Sequence, residues 1–316
     1  YSELKQKKEF DMAKYFNGII SEPMISYHKD GSIDFDVTHD LFKNLAMRGA
    51  SGLFVNGVGD ETYSLSLEER LEVIKCAQEA VKGTDCLIVA VVLANCLRDA
   101  LWLVKEYRKL DVKAMSISLP PFYQLTQEAA HQYLSAQLEA APDVPMLAFN
   151  CREMNELFTP EMLGRLAHEY PNLRGYKDAT RDIIHLNKCI DALDDLKDDF
   201  SIISGSDATL FTHMAMGASA SVSFMSVPFL DQMKDIYDYF KAGEYEKAWQ
   251  AQRIVLKLRT FMQQFPDSAA YIYAMKYTAC VNVQGTRHPD HMLYIPEEEL
   301  RKFDEMVKEF GITKRY

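Results

Sequence analysis

Ser66-Leu-Glu-Glu-Arg-Leu-Glu-Val-Ile-Lys-Cys-Ala-Gln-Glu-Ala-Val-Lys82, followed closely by Cys86-Leu-Ile-Val-Ala-Val-Val-Leu93, is the stretch from which the fold can be read. Ser66 and Glu69 form a capping-box signature, so a helix is expected from there to about Lys82. The run that follows is apolar without alternation. That is the pattern of a strand buried on both faces of a parallel sheet.

The same alternation of apolar run and amphipathic segment extends in both directions. The runs fall at 18–25, 52–57, 86–93, 112–119, 145–150, 173–178, 200–205 and 219–227. Thr126-Gln-Glu128 and Thr159-Pro-Glu161 open further helices, the second with Pro at the first helical position. Asp207-Ala-Thr opens the helix before the eighth run, and Pro228 the one after it. Eight strand–helix units over roughly 240 residues fit a (β/α)8 TIM barrel. A doubly wound sheet is the competing α/β reading, but Ser26-Tyr-His-Lys-Asp-Gly31 after the first run is no Gly-rich phosphate turn. Beyond Gly243 only helical patterns remain, at 244–264, 269–283 and 296–310. The expected organisation is a barrel over 16–243 and a C-terminal helical extension over 244–316 packed on it.

Composition agrees. The chain has 316 residues, 48% apolar and 26% charged, the balance of a globular protein with a sizeable core. No window reaches the roughly 18 uninterrupted apolar residues of a membrane span. The segment from Tyr1 to Lys14 carries Lys5, Lys7 and Lys8 and no apolar core, so it does not read as a secretory signal. A net charge of -11 argues against nucleic acid as a partner but leaves room for a small anionic ligand in a local pocket. Cys76, Cys86, Cys96, Cys151, Cys189 and Cys280 are scattered with no C-x-x-C pair, which points to a reduced, cytoplasmic setting and thiols used as core filler.

A barrel places its active site at the C-terminal ends of its strands. The sixth run ends Gly175-Tyr-Lys177-Asp178. A lysine inside an apolar strand is costly to bury as a cation, and a free amine there is what a Schiff-base nucleophile needs. The alternative is a strand-end lysine that snorkels to solvent or pairs with Asp178. The second run ends Asn56-Gly57-Val58-Gly59-Asp60-Glu61, where two glycines allow either a ligand against backbone N–H groups or an ordinary turn. Tyr123, in Pro120-Pro-Phe-Tyr123, and Phe149 end the fourth and fifth runs, where aromatic residues usually pack. Ser204-Gly-Ser-Asp207 ends the seventh and reads as a helix cap. His288-Pro-Asp-His291 lacks a third ligand nearby, so no metal site is expected.

Together these strand ends resemble the dihydrodipicolinate synthase / N-acetylneuraminate lyase family of Schiff-base-forming aldolases. The resemblance runs from Gly18 and Asp30-Gly-Ser-Ile-Asp34 through residues 57–70, which are similar to G-[TS]-T-G-E-x-x-x-L-[ST]-x-E-E-R. It continues in Pro120-Pro-Phe-Tyr123, Phe149-Asn150, Gly175-Tyr-Lys-Asp178, Ser204-Gly-Ser-Asp207 and Gly217-Ala218. It implies that Lys177 attacks the ketone of pyruvate or another 2-keto acid and forms an imine, with no cofactor. It also implies a homo-oligomer, dimer or tetramer, in which Tyr123 reaches a neighbouring subunit's site.

The chain departs from the family at several of these positions. The strand-five tyrosine is Phe149, and the two turn hydroxyls are Val58 and Gly59. The final Gly of the turn is Asp60, with Glu61 kept, and the opening Thr-Pro is Ile25-Ser26. The position of a dicarboxylate-binding arginine is Met154, while Arg152 replaces a usual proline. The expectation is therefore a divergent lyase with catalytic Lys177 and Tyr123 and a site lined by Val58, Gly59, Phe149, Ser206 and Val222. The ligand carboxylate would meet backbone N–H groups near Val58 to Asp60 and a hydroxyl of Ser206 or Ser223. Two alternatives stay open: a degenerate barrel that binds a metabolite without turnover, and a sugar-acid dehydratase on the same scaffold.

Overall fold

Eight short strands lie where the apolar runs predict them: β1 (Gly18–Ser21), β2 (Gly52–Val55), β3 (Leu87–Val92), β4 (Ala114–Ser118), β5 (Met146–Cys151), β6 (Leu173–Ala179), β7 (Ser201–Ser204) and β8 (Ala220–Ser223). Each pairs in parallel with the next, and β8 closes on β1 through Gly18 opposite Ala220 and Ser21 opposite Ser223. The computed structural model describes residues 14–312 apart from 60, 152–157 and 279–280. Asp60, Arg152 and Met154 therefore lie outside the described residues.

Helices alternate with the strands: α1 (Phe35–Met47), α2 (Leu67–Ala80), α3 (Leu97–Lys109), α4 (Gln127–Ala140), α5 (Pro160–Glu169), α6 (Ile183–Asp191), α7 (Leu210–Ala215) and α8 (Ser226–Lys241). Three more follow, α9 (Tyr245–Met262), α10 (Asp267–Thr278) and α11 (Glu297–Glu309). The start signals act as the sequence predicts. Ser66 Oγ accepts from the Glu69 N–H at 3.1 Å while Glu69 Oε2 accepts from the Ser66 N–H at 2.8 Å. Thr126 and Thr159 cap α4 and α5. Asp34, the last residue of Asp30-Gly-Ser-Ile-Asp34, caps α1 by accepting from the Val37 N–H.

Two expectations shift. The helix expected over 269–283 is α10, and residues 281–283 are not part of it; beside them Gln284 turns its backbone to other partners. It accepts from the Tyr27 N–H at 2.8 Å and donates to Ser26 Oγ at 3.0 Å. The eighth run yields a strand only as far as Ser223, and α8 begins at Ser226, before Pro228.

Strand alternation divides the core in two. Ile20, Phe54, Val89, Val91, Leu147, Phe149, Ile203 and Val222 fill the barrel interior with Phe16. Residues of the other parity, among them Ile19, Leu53, Met115 and Tyr176, pack under the helices. Lys177 shares the inward parity of Gly175 on β6, and its register neighbours are Phe149 on β5 and Ile203 on β7.

Candidate active site

Lys177 is only 2% exposed. Its Nζ lies over two ring faces, 3.8 Å from the centroid of Phe149 and 4.1 Å from that of Phe54. These are contacts that an ammonium makes well. The third neighbour is a carboxylate: Glu22 Oε2 stands 3.3 Å from Nζ, and both side chains are buried. The alternative pairing with Asp178 does not occur. Asp178 has the opposite parity, under the helices, where Oδ1 accepts from the Thr180 N–H and hydroxyl at 2.8 and 2.7 Å. Its Oδ2 accepts from the Tyr176 hydroxyl at 3.0 Å. Burial, with the Asp178 charge beside it, holds that phenol far above its ordinary range.

Glu22 is the site residue that the sequence reading missed. A signal for it existed. It is a charged residue inside an apolar run, the same anomaly that singled out Lys177, and it sits just beyond β1, whose pairing its N–H extends to Ser223 O at 2.8 Å. Its Oε1 accepts from the Gly59 N–H at 3.0 Å. The Gly59 N–H, expected to meet a ligand carboxylate, is taken by the chain's own Glu22. Both glycines are needed for this. A Cβ on Gly57 would lie 2.6 Å from Glu22 Oε1, and one on Gly59 would lie 3.4 Å from Glu22 Cγ and 2.8 Å from the Phe224 ring.

The other expected positions separate. Val222 faces the barrel interior and is buried. Ser223 faces away, and its Oγ accepts from the Ser226 N–H at 2.8 Å, so it is not a ligand for the interior. Ser206 Oγ is buried and makes no hydrogen bond among the described residues. Val58 is 54% exposed at the rim. Tyr123 is 59% exposed on the loop between β4 and α4, its ring edge-on to Phe122 at 5.3 Å. Glu61 points to the C-terminal segment, accepting from the Thr286 hydroxyl and from the Arg287 N–H at 3.1 Å. Arg70 is buried and donates to Thr62 O at 2.6 Å and to Leu93 O, tying α2 to the end of β3.

Asp207 corrects another expectation. Its carboxylate is not the cap of the helix it precedes; Oδ2 accepts from the Met225 N–H at 3.2 Å, at the start of α8. Burial raises its pKa, opposed by hydrogen bonds from Ser223 and Met225, and the nearby Glu22 charge raises it further. The folded chain therefore holds this proton above the ordinary carboxyl range. Stability linked to it is full below the unfolded value of about 3.9 and is lost as pH rises through the higher folded value. Asp207→Asn should gain stability relative to the native chain across that window. Urea midpoints from pH 3.5 to 7 that keep a constant difference would refute this.

Cys86 and Cys189 are buried free thiols, and burial pushes both up to about 12, so neither is a nucleophile at neutral pH. A groove of about 910 Å³, lined by Tyr27, Asp34, Tyr273, Thr286 and Tyr294 among others, lies against the C-terminal segment and includes neither Lys177 nor Glu22. No helix among the described residues is long and apolar enough to cross a membrane.

A closed parallel barrel with a buried lysine aimed into its interior near the C-terminal strand ends has the form of a barrel enzyme with an amine at its centre. The chain belongs to the Dihydrodipicolinate synthetase family, whose model matches residues 15–310. It is 28% identical over 292 residues to the 4-hydroxy-tetrahydrodipicolinate synthase of Streptococcus pneumoniae (strain Taiwan19F-14), covering 92% of this chain and 90% of that one. The enzyme of the same name from Streptococcus gordonii matches equally, at 28% identity over 92% and 90% of the two chains. Among solved structures, Proteus mirabilis N-acetylneuraminate lyase has the same fold, with a TM-score of 0.84 and 21% identity over 94% of this chain and 99% of that one. A dihydrodipicolinate synthase from Cyanidioschyzon merolae with lysine bound also scores 0.84, at 22% identity over 94% and 99%.

Proposed function

We propose that the chain is a Schiff-base-forming lyase that handles pyruvate or another 2-keto acid through an imine on Lys177. The observation that carries this is the placement of Nζ: buried, inside the barrel, against Phe54, Phe149 and a carboxylate. Membership of the family and the names of the relatives support the same chemistry. The neutral amine attacks the ketone carbon, water leaves, and a protonated imine remains. That imine draws electrons from the adjacent carbon, so a C–C bond or a C–H bond there breaks to give an enamine. Dehydration of a sugar acid and aldol cleavage both run through this intermediate. No cofactor takes part.

The buried Ser206 hydroxyl is available to a ligand carboxylate. Val58 and Gly59 lie at the rim, and Phe149 and Val222 supply apolar walls. Tyr123 faces solvent in the single chain, which suits a homo-oligomer, dimer or tetramer, in which it enters a neighbour's site as a proton carrier. The free thiols suit a cytoplasmic setting.

One observation favours a second reading. The Gly59 N–H is already occupied by Glu22, so a keto acid arriving there meets a negative charge. A barrel that senses a metabolite without turnover fits that arrangement. Borohydride reduction in the presence of pyruvate decides between the two. The expected result is one reduced pyruvyl group per chain, mapped to the peptide holding Lys177. A folded protein that gives no adduct with pyruvate or longer keto acids would leave Lys177 without a covalent role and favour the second reading.

A further inference from the structure

Among the described residues three groups lie against Lys177 Nζ, and two of them are phenyl rings that neither take nor give a proton. The third is the Glu22 carboxylate, with Oε2 at 3.3 Å from Nζ. Its other oxygen is fixed by the Gly59 N–H, in a space that only glycine at 57 and 59 leaves open. A buried, oriented carboxylate in hydrogen-bond reach of a buried amine has the geometry of an acid–base pair. Phe149 and Val58 offer no hydroxyl for that work.

We propose that Glu22 is a catalytic residue: the base and acid for imine formation at Lys177. This rests on the reading of Lys177 as the imine-forming lysine. Glu22 takes a proton from the Lys177 ammonium, and the amine lone pair forms the bond to the ketone carbon as the carbonyl π pair moves to oxygen. A proton passes from nitrogen to that oxygen, giving a neutral carbinolamine. Protonated Glu22 then gives its proton to the hydroxyl, which leaves as water while the nitrogen lone pair closes the C=N bond. The products are a protonated imine, one water and an ionised Glu22, so charge and protons balance. The Glu22 charge also acts on Asp207, after β7, and on Tyr271, on α10, raising the pKa of both.

The test is the rate of adduct formation on the full chain with pyruvate and excess borohydride, followed across pH. Glu22→Gln keeps the shape and an acceptor for Gly59 but cannot carry the proton. It is expected to slow trapping by about 10²–10⁴-fold, with the adduct still on Lys177, and to flatten the pH profile of the rate. Glu22→Asp keeps the carboxylate at shorter reach and should trap faster than Glu22→Gln. Trapping by Glu22→Gln that equals or exceeds the native rate overturns the proposal, because it makes Glu22 only a counter-ion that repels the keto acid. Glu22→Asp no faster than Glu22→Gln overturns it as well. An absence of adduct in the native chain removes the imine reading itself, and this role with it.

Discussion

Lys177→Ala is expected to form no borohydride-stable adduct and to lose about 10⁴-fold or more in turnover, since the covalent step has no other amine in place. The same substitution should destabilise the fold. Lys177 and Glu22 are a buried pair, and deleting one partner strands the other charge among Phe54, Phe149 and Phe224. The expected cost is about 3–5 kcal/mol. Pairing Lys177→Met with Glu22→Gln removes both charges and should recover most of that loss without recovering turnover. Urea unfolding of the single and double variants measures the stability part. A Lys177→Ala protein as stable as the native chain would show that the pair is hydrated in solution. An adduct that persists in Lys177→Ala would move the chemistry to another lysine.

Asp178→Ala is the second large effect, and it has the opposite character. Asp178 adjoins Lys177 in sequence but serves the wall of the barrel. Its carboxylate receives the Thr180 N–H, the Thr180 hydroxyl and the Tyr176 hydroxyl, and Asn150 Nδ2 donates to that same Tyr176 oxygen at 2.9 Å. Removing the acceptor leaves buried donors unpaired, each costing about 1–3 kcal/mol, so a total loss near 3–4 kcal/mol is expected. The protein that remains folded should still trap pyruvate on Lys177. A stable Asp178→Ala variant that fails to trap would place Asp178 in the chemistry and contradict its orientation. Asp178→Asn, which keeps an acceptor, should fall between the two.

Both predictions separate what could be read along the chain from what could not. Continuous apolar runs and capping residues such as Ser66, Thr126 and Thr159 specify strands and helix starts locally. Each depends on burial of both strand faces or on a hydrogen bond spanning three residues. Eight such units in order, with short connections, leave few ways to close, and the barrel follows. Period two puts Lys177 and Asp178 on opposite faces of β6, but that Lys177 is the inward one follows from its register with Phe149 and Ile203 in the closed barrel. By contrast, the helical pattern over 269–283 does not show that 281–283 leave the helix beside Gln284, whose backbone pairs with Ser26 and Tyr27.

The site divides along the same line. The sequence by itself determined that a lysine ends one apolar barrel strand and that a phenylalanine without a hydroxyl, Phe149, ends the strand before it, and it offered the glycine turn as one source of backbone N–H groups. The tertiary structure alone decided what those groups meet. Glu22 is 155 residues from Lys177 along the chain, on the opposite side of the strand order. Local pattern sets which way a side chain points, but its partner is whichever group the closed barrel brings within reach. Closure makes neighbours across the barrel interior of residues that no local period relates. That is why Glu22, though marked in the sequence by its charge inside an apolar run, could be joined to Gly59 and Lys177 only in three dimensions.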